Sequence, residues 1–139
     1  MNMLYGDFLL SDDTQKIQLD RVCEMLSTTY WANNRSKEAI EESIKNSLCF
    51  GIYKDDIQIG FARCVTDYAT MYWLGDVIID EKYRGIGLGK FLIKSITEHE
   101  EIAPCFGLLG TKDAHGLYEK FGFVKNQGTA MGKPPESTK

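Results

Sequence analysis

Three glycines at alternate positions, Gly85, Gly87 and Gly89, interrupt the stretch DEKYRGIGLGKFLIKSI at residues 80–96. A mostly apolar run typical of a strand comes before them, and apolar residues at helical spacing follow them. Because glycine forms neither strands nor helices well, the pattern predicts a loop that joins a strand to a helix. The unpaired N–H groups of the first helical turn and the positive end of the helix dipole would face this loop. The stretch therefore predicts an anion site, and a pyrophosphate fits it well.

The charge pattern gives this loop a local positive field. The 139-residue chain carries a net charge of −4, which argues against a general nucleic-acid binder. Residues 82–97 nevertheless contain four cations and no acid. The four are Lys82, Arg84, Lys90 and Lys94. Such a window indicates either a local anionic ligand or a solvated helix face.

Length and composition predict one domain at residues 1–127, followed by a flexible tail at 128–139 that is rich in Gly, Pro and polar residues. No apolar run reaches the ~20 residues that span a bilayer, and the first residues do not resemble a signal peptide. We therefore expect a cytoplasmic protein without a membrane contact. The four cysteines form no C-x-x-C pair and only two histidines are present, so we expect no metal site.

Periodicity predicts the element order β-α-α-β-β-β-α-β-α-β. The first half contains a short strand near residues 6–10, a helix at 15–28, and a second helix capped by Ser36. A hairpin at residues 54–56 then joins two strands, and Arg63 is expected to reach the sheet edge. A third antiparallel strand covers residues 71–79.

The second half begins with the helix after the glycines, whose apolar face includes Leu88, Leu92 and Ile96. This helix acts as a crossover, so the strand at residues 105–111 should run parallel to the strand before the glycines. A last helix with Asp113 as N-cap and Gly122 as C′ residue follows. A final strand is predicted at residues 121–124. The fold class is α/β with a mixed sheet.

Three known phosphate-binding patterns can be compared with the loop. A Walker A loop needs a glycine where this chain has Arg84 and a Ser or Thr where it has Phe91. A dinucleotide fingerprint needs a third glycine at the position of Lys90. The pattern R/Q-x-x-G-x-G/A fits without a mismatch, through Arg84, Gly87 and Gly89.

That third pattern resembles the GNAT superfamily of acetyl-CoA-dependent N-acetyltransferases. The segment DVIIDEKYRGIGLGKFLI at residues 76–93 is similar to the strand, loop and helix of that family. The segment AHGLYEKFGF at residues 114–123 is similar to its second signature, A-x-x-L-Y-x-x-x-G-F. The resemblance covers about residues 10–124 and is strongest to a subset of small, poorly characterised members of bacterial type. It implies a central mixed sheet of about six or seven strands flanked by about four helices, and acetyl-CoA as cosubstrate.

The resemblance also implies roles for individual residues. The backbone of Val77, Ile78 and Ile79 would pair with the pantetheine arm as an added strand. Tyr118 would be the general acid that protonates the leaving thiolate, although its spacing equally fits a core aromatic of an amphipathic helix. The loop would hold the pyrophosphate. Its residues are Arg84, Gly85, Ile86, Gly87, Leu88, Gly89 and Lys90.

The general base and the acceptor pocket are less defined. Asp76 is the first candidate for the base, His115 and Asp113 are the next, and a chain of water molecules would also serve. Trp31 and Arg35 lie between the first two helices, where they either pack in a turn or line the acceptor site. In the second case Arg35 would suit an acceptor with a carboxylate or a phosphate.

The resulting prediction is an N-acetyltransferase that moves the acetyl group of acetyl-CoA to a primary amine of a small molecule or protein. Attack would be direct, in a ternary complex, because no cysteine or serine occupies an obvious nucleophile position. The alternative is a module that binds acetyl-CoA or CoA without turnover and acts as a sensor or regulator. A nucleotide-binding protein that uses the same loop is a third possibility. Small members of the family often pair, so the resemblance is also compatible with a homodimer.

Overall fold

A computed structural model describes residues 1–125 and 128–136, and within them six strands form one mixed sheet with four helices against it. The strands are β1 (Asn2–Tyr5), β2 (Phe8–Ser11), β3 (Leu48–Lys54), β4 (Ile57–Thr66), β5 (Met71–Ile79) and β6 (Phe106–Leu108). The helices are α1 (Leu19–Leu26), α2 (Lys37–Lys45), α3 (Leu88–Thr97) and α4 (His115–Glu119). The sheet follows chain order; β5 and β6 are parallel, and every other pair is antiparallel. The predicted fold class is confirmed.

Local sequence signals explain most of these elements. The β3–β4 hairpin turns at Asp55 and Asp56, which have φ values of 49° and 67°, a left-handed conformation that Asp tolerates better than most residues. The Ser36 hydroxyl accepts a hydrogen bond from the Ala39 amide at 3.1 Å and caps α2. The predicted hairpin and N-cap are therefore confirmed.

The sheet carries a core on each face. On one face α3 buries its apolar stripe completely, and Leu88, Leu92 and Ile96 are each at most 1% exposed. On the other face α1 and α2 cover a second cluster that includes Phe61 and Ile78. Burial of such side chains contributes roughly 1.5–3 kcal/mol each. Strands β4 and β5 thus contribute side chains to both cores.

The glycine loop has the predicted conformation. Gly85 and Gly87 have φ values of 83° and 92°, which residues with a Cβ atom rarely adopt. Gly87 is the residue directly before α3. A short 3-10 turn at Glu81–Tyr83 follows β5. The glycine loop then connects this turn to the first turn of α3.

Several boundaries differ from the prediction. An additional strand, β1, precedes the expected first strand and pairs with it in a tight hairpin at Gly6, which has a φ of 59°. A 3-10 turn at Thr14–Lys16 precedes α1, which is shorter than expected. Ala114 is the N-cap residue of α4 and makes no side-chain cap hydrogen bond, so Asp113 is not the N-cap of α4. The Ala114 amide donates to the Thr111 hydroxyl at 3.0 Å.

The end of the domain contains the clearest error. Residues 121–125 form no strand; instead the rings of Phe121 and Phe123 pack on the α3-side core. The amides of Gly122 and Phe123 bond back to the carbonyls of Glu119 and Tyr118 at 3.3 Å each, which is a Schellman motif. The predicted C′ role of Gly122 is confirmed by its φ of 95°.

The predicted C-terminal tail is only partly described. Residues 128–136 contain no helix or strand. The predicted domain end at residue 127 and the last residues of the tail, 137–139, lie outside the described residues. Its flexibility stays a prediction.

Arg63 also lies elsewhere than predicted. It belongs to β4, which is an inner strand between β3 and β5, so its side chain does not reach the sheet edge. The side chains of β4 also do not alternate regularly between the two faces of the sheet. Ile59 packs on the α3 side, whereas Phe61, two residues later, packs on the α1–α2 side. A register shift opposite Ile52 and Tyr53 accounts for this change of face.

Candidate active site

The parallel strands β5 and β6 separate after a short contact and open a cleft. Their pairing covers only Met71–Trp73 against Phe106–Leu108. From residue 74 to residue 79, β5 is paired with β4 on one side and with no described strand on the other. The resulting cleft has a volume of about 680 Å³. It is bounded by β5, the glycine loop, the segment between α1 and α2, and the segment from β6 into α4. Its floor thus includes unpaired backbone.

A β-bulge at Asp76 shapes this floor. Arg63 pairs with Gly75 and Phe61 with Ile78, so one residue of β4 stands opposite two residues of β5. Asp76 has a φ of 55°, which is the left-handed region. The bulge shifts the side-chain alternation, and as a consequence the Asp76 carboxylate points to the α1–α2 side of the sheet.

The glycine loop forms one end of the cleft. The Arg84 side chain is folded back, and its Nε donates to the Ile79 carbonyl at 2.9 Å. A Cβ atom added at Gly85 or Gly89 would meet no atom within 4 Å, so the space beside both residues is open. The first-turn amides of α3 have no intrahelical acceptor and lie next to this open space. This end is therefore built to accept an anion from the cleft.

The structure brings most of the predicted cofactor-binding residues to this cleft. Those that line it are Val77, Ile78, Ile79, Arg84, Gly85, Gly87, Leu88 and Gly89. Ile86 and Lys90 do not line it. Ile86 is 50% exposed, and its carbonyl accepts a hydrogen bond from the Tyr5 hydroxyl at 2.7 Å. Lys90 is exposed on α3.

Tyr118 reaches the same cleft from α4. Its ring packs edge-on against Phe123, with centroids 5.9 Å apart. Burial, with a smaller contribution from Tyr30, raises the pKa of Tyr118 above the ordinary value for tyrosine. The phenol therefore stays protonated at neutral pH. It could donate a proton to a group in the cleft.

Asp76 is held in a network of three donors. Its Oδ2 accepts from Arg63 Nε at 2.6 Å and from Arg35 Nη1 at 2.7 Å. Its Oδ1 accepts from Trp31 Nε1 at 3.1 Å. Burial alone would raise the pKa of Asp76, but the hydrogen bonds and positive charges of the two arginines outweigh it and lower that pKa. A carboxylate with a lowered pKa and occupied oxygens is a weak base, so this geometry favours a structural role.

The other predicted residues divide between two sides of Tyr118. Trp31, Arg35 and Asp113 line the same cleft. His115 does not; it lines an adjoining groove that shares Trp73 and Tyr118 with the cleft. Sequence reasoning missed Arg63 as a site residue. The available signal was a lone cation within the apolar run IQIGFARCV, because a charge on an inner strand requires a partner.

The described chain shows no helix long and apolar enough to cross a membrane. Within residues 1–125 and 128–136 there is also no group of three or more His, Cys, Asp or Glu side chains arranged to hold a metal ion.

Known proteins share this arrangement of sheet and helices. A family model described as an acetyltransferase (GNAT) domain matches residues 45–125. A crystal structure of a GNAT-family protein from Xanthomonas campestris pv. campestris, described as a possible acetyltransferase, is 32% identical. It superposes with a TM-score of 0.88, and the match covers 96% of this chain and 95% of that one. A Staphylococcus aureus structure, 21% identical with a TM-score of 0.77, covers 94% of this chain and 99% of that one and shares the fold.

Two curated relatives agree with these matches. A Gibberella zeae protein named as a candidate acetyltransferase is 27% identical over 117 residues, which are 70% of this chain and 66% of that protein. The chain thus spans just under two thirds of that relative. The uncharacterised N-acetyltransferase ycf52 of Pyropia yezoensis is 27% identical over 135 residues, 92% of this chain and 76% of that protein.

The fold and the cleft define a mixed α/β protein whose parallel strands separate beside a glycine loop at a helix N-terminus. The chain belongs to the GNAT family of N-acetyltransferases. Members of that family generally use acetyl-CoA as cosubstrate. The predicted family resemblance is confirmed.

Proposed function

We propose that this protein transfers the acetyl group of acetyl-CoA to a primary amine of a small molecule or protein, by direct attack in a ternary complex. The observation that carries this proposal is the unpaired edge of β5. It leads into the glycine loop at one end and shares its cleft with Tyr118. A linear ligand with a pyrophosphate at one end and an amide-bearing arm at the other matches this layout.

The residues present fit acetyl-CoA in two respects. The open space at Gly85 and Gly89, with the first-turn amides of α3, would receive the pyrophosphate. The free backbone of β5 near Val77 would receive the amides of the pantetheine arm as an added strand. The hydrogen bond from Arg84 to the Ile79 carbonyl links the loop to the end of β5.

The bound cosubstrate supplies an acetyl thioester. An unprotonated amine attacks its carbonyl carbon, so that a C–N bond forms and the C–S bond breaks. A backbone N–H on the free edge of β5 would polarise the carbonyl oxygen. Tyr118 would give its proton to the departing sulfur, a contribution of roughly 10²–10⁴ in rate. The proton lost by the amine would leave through Asp113 or through solvent, because the two arginines reduce the basicity of Asp76.

Thermal unfolding with acetyl-CoA, CoA, ATP and NADH tests the cofactor assignment. A ligand at about 100 times its Kd adds about 2.7 kcal/mol to the unfolding free energy. For a domain of this size Tm should rise by roughly 5–10 °C. We expect this rise with acetyl-CoA and CoA only. A rise with ATP or NADH instead, or with none of the four, would overturn the proposal.

The alternative, a module that binds CoA without turnover, makes the same prediction for Tm. Release of free thiol from acetyl-CoA in the presence of amines separates the two, because only an enzyme produces CoA continuously. A panel of primary amines that raises Tm in the presence of CoA but releases no thiol would favour the sensor. We favour the enzyme because Tyr118 lies in the cleft with its hydroxyl protonated.

Further expectations from the sequence stay predictions. They are a cytoplasmic location, the absence of nucleic-acid and membrane partners, and the possible homodimer. The flexible tail after residue 127 and the extent of the domain have the same status.

A further inference from the structure

We propose that the acceptor carries an anionic group, a carboxylate or a phosphate, which binds to the pair of arginines Arg35 and Arg63 held by Asp76. This inference rests on the proposed acetyl transfer and narrows its substrate class. It assigns Arg63, which the sequence did not indicate, as a specificity-determining residue together with Arg35.

The charge balance of the cluster leaves one positive charge without a counter-charge. Arg35 and Arg63 both donate to a single oxygen of Asp76, at 2.7 and 2.6 Å. The three side chains together carry a net charge of +1. The side chain of Asp76 is 3% exposed and that of Arg63 is 18% exposed, so solvent screens this charge less than it would at the surface. An anion that enters the cleft would neutralise it.

Among the described residues, the two arginines also retain hydrogen-bond donors without a protein acceptor. Arg35 uses only Nη1, toward Asp76. Its Nε and Nη2 donate to no protein acceptor within residues 1–125 and 128–136. These two atoms form the side of a guanidinium that binds a carboxylate or phosphate through two parallel hydrogen bonds. Arg63 uses Nε for Asp76 and Nη1 for the Ser47 hydroxyl at 3.2 Å. Its Nη2 has no acceptor in the described part of the chain and is a third donor.

The position of the arginine cluster limits the distance between the anionic group of the acceptor and its reacting amine. Asp76 directly precedes Val77, at the edge proposed to hold the pantetheine arm, and both line the cleft. An anion at the arginines would therefore lie a short spacer away from an amine at the thioester. The acceptor should accordingly be a small amine whose acidic group is separated from nitrogen by a few bonds.

Aromatic side chains and a second carboxylate also line the cleft. Trp31 and Trp73 are 41% and 45% exposed and both line it. Asp113, in the segment between β6 and α4, lies in the same cleft. It can attract the ammonium end of an acceptor while the arginines bind the acidic end. A molecule with both charges matches the cleft better than a plain alkylamine.

The fluorescence of the two tryptophans provides a direct test, since the chain contains only these two. Titrations with saturating CoA would compare β-alanine with propylamine, and O-phosphoethanolamine with ethanolamine. The members of each pair differ in the acidic group. Because hydrogen bonds to a charged group are stronger than those to a neutral group, we expect at least one anionic member to bind about 10-fold more tightly than its neutral partner. The pair that shows the larger difference distinguishes carboxylate from phosphate.

Variants identify the residues responsible. Arg35→Gln should reduce the preference to within about 2-fold and leave the CoA affinity unchanged. Lys45→Gln removes the same charge from an exposed position on α2 and should keep the preference. Arg35→Lys keeps the positive charge but lacks the planar guanidinium that forms two parallel hydrogen bonds, so it should give an intermediate preference for the anionic probe. It serves as the second variant if Arg35→Gln unfolds.

The outcomes separate this inference from the proposed function. Equal affinity for both members of each pair, no quenching by either anionic probe, or a preference retained in Arg35→Gln would overturn the anionic acceptor. None of these results depends on thiol release. Acetylation of neutral amines as fast as their anionic partners would leave the transferase intact and also reject this inference. Selective binding of the anionic probes without thiol release from any amine would show an anion site at the arginines but remove the transferase, and with it the assignment of the anion as part of an acceptor.

Discussion

The hydroxyl of Tyr5 donates a hydrogen bond of 2.7 Å to the carbonyl of Ile86, which lies 81 residues further along the chain. The Tyr5 ring also stacks on Phe91 of α3, with centroids 5.0 Å apart. The exposed edge strand β1 thus contacts both the glycine loop and the helix that follows it. The loop is held by a strand that the sequence did not predict.

Tyr5→Phe should weaken CoA binding and leave the fold intact. The variant loses one hydrogen bond of about 0.5–1.5 kcal/mol but keeps the ring that stacks on Phe91. Calorimetric titration should show a Kd for CoA that is roughly 2–10-fold higher. Tyr68→Phe, at an exposed position in the β4–β5 turn, is the matched control and should not change the Kd. An unchanged Kd in Tyr5→Phe would show that the contact does not order the loop.

Alanine substitutions at two glycines should have opposite effects. Gly87 has a φ of 92°, and a Cβ atom there would collide with the Tyr5 hydroxyl. Gly87→Ala should therefore lower the unfolding free energy by about 1–2 kcal/mol and raise the Kd for CoA. Gly116 lies within α4 with open space beside it, so Gly116→Ala should raise the unfolding free energy by about 0.5–1 kcal/mol. Urea unfolding of both variants would measure these changes. A stable Gly87→Ala protein with unchanged CoA affinity would contradict the proposed role of the loop.

Local patterns in the sequence predicted the central part of the fold. The glycines at 85 and 87 occupy left-handed positions, and the apolar spacing of α3 marks its buried face. The parallel pairing of β5 with β6 follows from a crossover helix between them. These features depend on short-range steric and helical preferences. For that reason they are visible in a single chain.

The sequence could not give the features that arise from long-range packing. The bulge at Asp76 depends on how β4 and β5 align, and it brings Arg35, Arg63 and Trp31 to one carboxylate from three separate segments. The predicted final strand failed for a related reason. Phe123 in FGFV has the composition of a strand, but its ring packs against Tyr118 instead.

Asp76→Asn should destabilise the domain because it leaves two arginines without their carboxylate. Removing one partner of a largely buried ion pair costs about 3–5 kcal/mol, and the partial exposure of Arg35 reduces this to about 2–4 kcal/mol. The pKa of Asp76 is lowered in the folded state. Its contribution is therefore fully present above the unfolded pKa near 3.9 and is lost as the pH falls through the lower folded pKa.

The difference in unfolding free energy between wild type and Asp76→Asn should be constant at about pH 6–8 and shrink below about pH 4. Chemical unfolding at several pH values measures it. Asp113→Asn removes an exposed carboxylate and should show a much smaller difference throughout. A wild-type advantage that grows on acidification would show that the carboxylate is not held by the arginines.

Tyr118→Phe should separate catalysis from binding. The variant keeps the ring that packs on Phe123 and loses only the hydroxyl proposed to protonate the leaving sulfur. Steady-state thiol release should show a kcat that is lower by a factor of about 10²–10⁴. The Kd for CoA should stay within about 2-fold of the wild-type value, which is about the error of a titration.

Tyr83→Phe is the matched control, because Tyr83 lines the same cleft from the turn before the glycine loop and should keep kcat. Burial raises the pKa of Tyr118 above the ordinary value for tyrosine, so this group stays protonated and should not lower kcat at about pH 7–9. A kcat that is unchanged in Tyr118→Phe would remove the tyrosine from the mechanism, whereas equal losses in both variants would indicate a general change in the shape of the cleft.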